Sequence, residues 1–389
     1  MSNVSSSNSQ GVRVPKLRFP GFEGEWESAK LSDLTTYLRT RRKSCKSHFI
    51  STENMHQNCS GIEQYEDDSI VDGIAFEKGD LLLANIRPYL KKLWLSSFSG
   101  VCSTDVLAFH PIDVDSDFLY SALCRDSFFT YVMSGVKGSK MPRGDKSHIM
   151  DFQLAVPRKQ EQEKVASFVQ QLDTRIEKQR QFVEALKSYK RGLLSKLFPQ
   201  KGETTPRYRF VGFTDPWKQR KIKELFKITR GYVLAASMTT DKQTESTPYP
   251  VYSSQTKNDG LMGYYNQYLY ENAITWTTDG ANAGTVNFRN GKFYCTNVCG
   301  VLLADTVDPD QMISQALNSV AKNHVSYVGN PKLMNNVMAE ITIALPESEK
   351  ERQVISSILS YYDNLISSHM QKLDGLQSLK AGLLQQLFI

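Results

Sequence analysis

Paired cysteines, long apolar runs and the short motifs of catalysis are all scarce in this 389-residue chain. Its six cysteines (Cys45, Cys59, Cys102, Cys124, Cys295 and Cys299) are scattered without C-x2-C units, which argues for reduced thiols over a disulfide framework or a zinc site. Cys295 and Cys299 form the one close pair, in a run whose alternation reads as strand, and a metal there would need two further ligands from elsewhere. No uninterrupted apolar stretch is long enough to span a bilayer. The start, "MSNVSSSNSQGVRV", has neither the charged opening nor the apolar run of a secretory signal, so a cytoplasmic protein with a flexible tail over residues 1–14 is expected. There is no GxxxxGK[ST] phosphate loop and no strand-flanked GxGxxG, and Asn330-Pro331 is followed by Lys332, so the NPP core of an amino-methyltransferase is missing. None of His48, His56, His110, His148, His324 and His369 has HExxH spacing or an obvious Ser or Cys partner. The chain reads as a binder, with no catalytic residue, metal or cofactor of its own.

What is present is a duplication. "PKLRFPGFEGEW", Pro15 to Trp26, returns as "PRYRFVGFTDPW", Pro206 to Trp217, keeping Pro, Arg18/Arg209, Phe19/Phe210, Gly21/Gly212, Phe22/Phe213 and Trp. The aromatics Phe19, Phe22 and Trp26 read both as core anchors and as part of a partner-facing surface. Further on, "AVPRKQEQEKVASFVQQLDTRI" with "GLLSKLF" returns as "ALPESEKERQVISSILSYYDNLI" with "GLLQQLF". With 40% apolar and 23% charged residues, both copies have material for real cores. The expected order is a tail over 1–14, a first globular domain over 15–156, a helix over 157–200, a second domain over 201–345 and a second helix over 346–389.

Both helical segments carry a heptad seam. The first runs through Val165, Val169, Leu172, Ile176, Val183, Leu186, Leu193 and Leu197, with Gln179 and Lys190 interrupting it. The second runs through Tyr362, Ile366, Leu373, Leu376, Leu383 and Leu387, with His369 and Lys380 at the matching interruptions. A polar residue in such a seam costs stability and fixes register, so the two helices are expected to pair with each other as an antiparallel coiled coil. At 1.5 Å per residue each would be roughly 60 Å long.

The two globular regions mix short β-rich runs with a helical run ("SDFLYSALCRDSFFTYVMSG"; "DQMISQALNSVAKN") and read as α+β, one fold used twice with divergent loops. The net charge of +6 is mild, but basic residues interleaved with aromatics and amides form local clusters. In the first domain the candidate nucleic-acid contacts are Arg41, Arg42, Lys43, Arg87, Lys91, Lys92, Lys140 and Arg143. In the second the loop material is more neutral ("YSSQTKNDG", "TTDGANAG", "FRNG", "GNPKLMNN"), and the candidates are Arg230, Ser254, Thr278, Asn282 and Lys332. The same residue types also serve ordinary turns.

Together the repeats, the "RPYLKK" segment and "VGNPKLMNN" resemble the specificity (S) subunit of Type I restriction-modification systems over essentially the whole chain from Val14 to Ile389. The resemblance implies two target-recognition domains held apart by two helices, each reading one half of a split double-stranded DNA site, so that divergent loops give an asymmetric bipartite target. It also implies two methyltransferase (M) subunits docked on the frame, which methylate adenine with S-adenosylmethionine, and restriction (R) subunits using ATP and Mg. This chain would hold none of those cofactors, and no membrane partner is expected. A duplicated coiled-coil adaptor binding only proteins is the alternative. The missing motifs discourage a self-sufficient nuclease or methylase.

Overall fold

The computed structural model describes residues 14–138, 141–200, 202–254 and 258–389; apart from Val14, the expected tail lies outside them. The chain divides into two compact units, Met1–Arg180 with Gln371–Ile389, and Gln181–Met370. Each unit holds one α+β head and a stretch of both long helices.

In the first unit the order is β1 (Glu27–Lys30), α1 (Leu31–Leu34), β2 (Thr35–Tyr37), β3 (Arg41–Cys45), β4 (Phe49–Ile50), β5 (Ile70–Phe76) and β6 (Leu81–Ala84). There follow β7 (Leu93–Leu95), β8 (Gly100–Cys102), β9 (Val106–Pro111), α2 (Ser116–Leu123), α3 (Asp126–Ser134), α4 (Lys146–Met150) and β10 (Gln153–Val156). The strands form two four-stranded sheets, β2-β9-β6-β7 and β3-β5-β8-β4, and a β1-β10 ribbon. Alternation explains the all-apolar "LLLA" of β6: Leu81 and Leu83 join the core under the helices, whereas Leu82 and Ala84 join the core that includes Ile74, Phe76 and Cys102 of the second sheet. Burying each such leucine contributes about 1.5–3 kcal/mol. Pro157 ends β10, and α5 (Lys159–Leu197) begins two residues on.

The second unit repeats the plan with β11 (Lys218–Lys221), α6 (Ile222–Leu225), β12 (Phe226–Arg230), β13 (Tyr249–Tyr252), β14 (Leu261–Tyr265) and β15 (Tyr270–Thr277). Then come β16 (Val286–Cys295), β17 (Cys299–Ala304), α7 (Gln311–Ala321), α8 (Asn335–Glu340), β18 (Thr342–Leu345) and α9 (Glu349–Leu387). One six-stranded sheet, β12-β17-β15-β16-β13-β14, replaces the two sheets of the first head, and β11 pairs β18 as β1 pairs β10. An Asp caps the helix after the sheet in both heads: Asp115 accepts from Phe118 N–H and Asp310 from Ile313 N–H, each at 2.8 Å. "FRNG", read above as loop material, lies inside β16. A register irregularity opposite it, with Asn272 and Gly291 at positive φ, lets the strand carry these turn-forming residues.

Both helices are 39 residues long, and each passes from one unit to the other. Within the first unit α5 meets the end of α9, where Lys380 Nζ lies 2.5 Å from Asp173. Within the second unit the later part of α5 meets the start of α9: Lys190 pairs with Asp363, Phe182 packs edge-on against His369 and Tyr189 tilts against Tyr362. The two lysines that interrupt the heptads thus each face an aspartate of the opposite helix, and residue numbers rise on one helix as they fall on the other, the antiparallel sense the seams predict. Val165, Val169, Ile176, Val183 and Leu197 are buried in that seam, as is the polar Gln179.

Candidate nucleic-acid interface

The repeated opening motif builds a joint. In the first unit Arg18 Nε and Nη2 donate to the two oxygens of Glu161 at 2.8 and 2.7 Å, and Trp26 Nε1 donates to the same carboxylate at 3.3 Å. In the second, Arg209 holds Glu351 at 2.8 Å through both nitrogens, and Trp217 Nε1 adds a contact at 3.4 Å. Both glutamates sit in the first turn of a long helix with carboxylates no more than 3% exposed, so each fork of two N–H groups answers a buried charge. The hydrogen bond each arginine donates to its glutamate is the main cause that raises both arginine pKa values. Trp26 and Trp217 are buried; Phe19 and Phe22 are half-buried, with Phe19 packed on Phe168. The motif therefore ties each head to its helix.

At the far end of β6 the first head displays a loop and a hairpin locked together by backbone bonds. Asn85 N–H donates to Asp105 at 2.8 Å, Arg87 N–H to Pro142 at 2.9 Å and Gly144 N–H to Asn85 at 3.1 Å, while Lys137 and Arg143 close the hairpin. After β15 the second head repeats the bonds: Thr278 N–H to Val298 at 3.0 Å, Gly280 N–H to Pro331 and Leu333 N–H to Thr278 at 2.9 Å, with Ser326 and Lys332 closing the hairpin. Arg143 and Lys332 occupy one position of this shared frame, and Arg87 and Gly280 another. Both members of the latter pair have positive φ (+52° and +93°), a conformation glycine adopts freely and arginine only at a cost.

The expected contacts sort by environment. Arg87 is exposed and, among the described residues, makes no ion pair; Arg143 reaches Asp105 at 3.1 Å and remains half exposed. Lys91, also at positive φ, pairs with Asp126 at 2.6 Å. Lys92 is half-buried and donates to the Thr52 carbonyl at 2.5 Å, with burial lowering its pKa. Arg41, Arg42 and Lys43 stand apart on β3 in the other sheet, where Arg41 pairs with Asp72 at 2.5 Å and Arg42 with Glu77 at 2.9 Å. Lys140 lies outside the described residues. In the second head Lys332 is half exposed, 3.8 Å from Asp279, whereas the buried Thr278 spends its hydroxyl on Asp279 and the Val298 carbonyl. Arg230 is exposed at the end of β12, Ser254 is half-buried beside the undescribed 255–257, and Asn282 lines a small cavity with Arg289, a residue that sequence reading missed.

Five of the cysteines, Cys59, Cys102, Cys124, Cys295 and Cys299, pack in or against apolar clusters, whereas Cys45 lies beside Ser47 and the Asp67 carbonyl. All six are free, and burial pushes the Cys102 thiol up to about 12 and the Cys299 thiol up to about 11. Among the described residues no cluster of His, Cys, Asp and Glu could hold a metal, and no helix is long and apolar enough to cross a membrane.

A sequence profile of the type I restriction modification DNA specificity domain matches residues 23–185 and again 214–378, one match to each copy. The chain belongs to that family. It is thus a DNA-specificity subunit of a type I restriction-modification system, a non-catalytic chain that reads target DNA and works with methyltransferase and restriction subunits. A putative type I specificity subunit N-terminus from Mycoplasma pneumoniae is 39% identical over 149 residues, 37% of this chain and 77% of the relative. The type I restriction enzyme MpnII specificity subunit of the same organism is 31% identical over 156 residues, 39% of this chain and 46% of that relative, so the match spans less than half of its length. Among solved structures, the type I restriction-modification S subunit from M. genitalium shares the fold with a TM-score of 0.68 at 14% identity, covering 96% of this chain and 99% of that one.

Proposed function

We propose that each head reads one half of a bipartite DNA target through its loop-and-hairpin, and that the halves differ because the side chains on this shared frame differ. The carrying observation is the recurrence of one set of backbone bonds in both heads with Arg87 and Arg143 on the first and Gly280 and Lys332 on the second. Arginine forks a guanine edge, whereas lysine acts as a point charge and glycine only lets backbone approach. Arg143, Arg87 and Lys91 therefore make the first head's contacts, together with Lys140 from outside the described residues; Lys332, Asn282 and Ser254 make those of the second. Lys43 contributes long-range attraction, whereas Arg41 and Arg42, balanced in place by Asp72 and Glu77, add short-range phosphate contacts.

The α5–α9 pair sets the unread gap between the halves, and the duplicated frame accommodates two methyltransferase subunits, one per copy, to which restriction subunits are added. The boundaries expected above after residues 156, 200 and 345 are the modular joints of this arrangement, and the one after residue 14 precedes the first head, each head being tied to its helix by an Arg–Glu–Trp joint. Arg143→Ala, assembled with the methyltransferase partners, tests the base-reading role. Loss of a bidentate base contact costs ~1–3 kcal/mol and relaxes the target at one position, whereas uniform weakening on all sequences would make Arg143 a phosphate contact.

A further inference from the structure

Arg289 lies in the middle of β16 and is only 8% exposed, yet among the described residues no carboxylate comes within ion-pair distance of its guanidinium. Its Nε donates to Thr275 Oγ1 at 3.1 Å, its Nη2 to the Asp259 carbonyl at 2.6 Å, and the guanidinium lies 3.7 Å from the centre of the Tyr252 ring. With its amide turned to match its neighbours, Asn287 also accepts from Nη2, at 3.2 Å. Neutral hydrogen-bond partners and the Tyr252 ring thus hold the cation, and Arg289 lines a cavity of about 90 Å³. The other walls include the hydroxyls and amides of Ser253, Thr277, Asn282 and Thr285; Asp259 is the one acid among them, its carbonyl accepting from Nη2 and its charge favouring the protonated guanidinium. Burial weakens the hold of the guanidinium on its proton. A buried charge with no fixed partner is costly, and the cost is offset when a ligand brings the opposite charge.

The cavity is lined by Ser253, Asp259 and Gly260 on one side and by the start and end of the loop after β15 on the other, the end of the sheet that carries the second head's loop-and-hairpin. Its hydroxyls, its amides and the Arg289 guanidinium can all donate to an oxyanion, and the loop after β15 that lines it also carries the position assigned to DNA. We infer that this cavity is an oxyanion site that takes one backbone phosphate of the bound DNA strand, with Arg289 as the counter-charge and Asn282 at its mouth. The assignment rests on the reading of the second head as a DNA-contacting surface. It gives that head, whose loops are nearly neutral, an anchor that positions the strand without reading its bases.

The test uses the full chain assembled with its methyltransferase partners, with binding to a target duplex and an unrelated duplex followed from about 50 to 200 mM salt. Arg289→Met is expected to make the slope of log K against log salt shallower by about 0.9, with equal losses on both duplexes, while Arg289→Lys keeps the slope. Asn282→Asp, which leaves the buried arginine untouched, is expected to weaken both duplexes alike by placing a negative charge at the mouth. As a second arm, inorganic phosphate raises the thermal midpoint of the wild-type chain and not that of Arg289→Met. An unchanged slope in Arg289→Met and undiminished binding in Asn282→Asp would overturn the site, as would a loss confined to one base pair of the target. Phosphate protection without any duplex binding by the wild-type complex would instead overturn the DNA reading of this head, leaving a site for a free anion.

Discussion

Glu161 and Glu351 are carboxylates placed where water cannot reach them, and each survives there because an arginine fork and an indole N–H meet it. Removing one partner of such a pair exposes the full desolvation penalty of the other. Arg18→Met is therefore expected to destabilise the first unit by about 3–5 kcal/mol in urea unfolding, while Arg18→Met with Glu161→Leu recovers most of that loss. Equal losses in the single and double variants would show that the joint is held by packing alone. Acid stability has a separate contributor at the surface. Hydrogen bonds from Lys221 and then Lys223 lower the Glu340 carboxyl from its ordinary 4.5 to about 2. A carboxylate lowered on folding contributes stability above its unfolded value and loses it as the pH falls, so the contribution fades between about 4.5 and about 2. Glu340→Gln should flatten the acid limb of the stability–pH curve across that window; an unchanged limb would show that the two lysines do not act on this carboxylate.

The long helices were legible in the sequence because a heptad is local: Val165 to Leu197 and Tyr362 to Leu387 announce their seams within a few turns, and Lys190 and Lys380 mark the places that need a polar partner. The joint was half legible. Arg18 and Trp26 stood out as repeats, but their glutamates did not, because one extra residue separates Pro346 from α9; aligned on Pro157 and Pro346, Glu161 falls opposite Lys350. The loop-and-hairpin was hidden for a different reason. It is written in backbone bonds between segments distant in sequence, such as Arg87 with Pro142, and leaves the side chains free to diverge. Arg289 sits in "FRNG", whose Asn-Gly reads as a turn, and only pairing with β15 makes it strand. The helix pairing carries its own test. Lys380→Asp should weaken it by repulsion from Asp173, and Lys380→Asp with Asp173→Lys should restore the thermal midpoint, a coupling that independent surface charges would not show. Seven residues inserted after Gln179 and after His369 keep the seam in phase and should lengthen the unread gap by about three base pairs, at 1.5 Å per helical residue and about 3.4 Å per base pair, as mapped from methylated sites. An unchanged gap would mean that the helices do not set it.

For the whole molecule, two frames of common construction carry two different sets of side chains, and under the proposed reading one chain thereby specifies both halves of a target. Removing residues from Glu347 onward takes away α9 together with the glutamate that closes the second joint. The shortened chain is expected to lose the complex with two methyltransferase subunits or to regain it by dimerising, which the mass of the assembled complex would report. The most direct test maps methylated sites across the genome of a host carrying this chain with residues 15–155 replaced by those of a relative. One half of the recognised sequence should change while the other half and the gap stay as they were. A change in both halves, or in neither, would contradict the assignment of one half-site to each head.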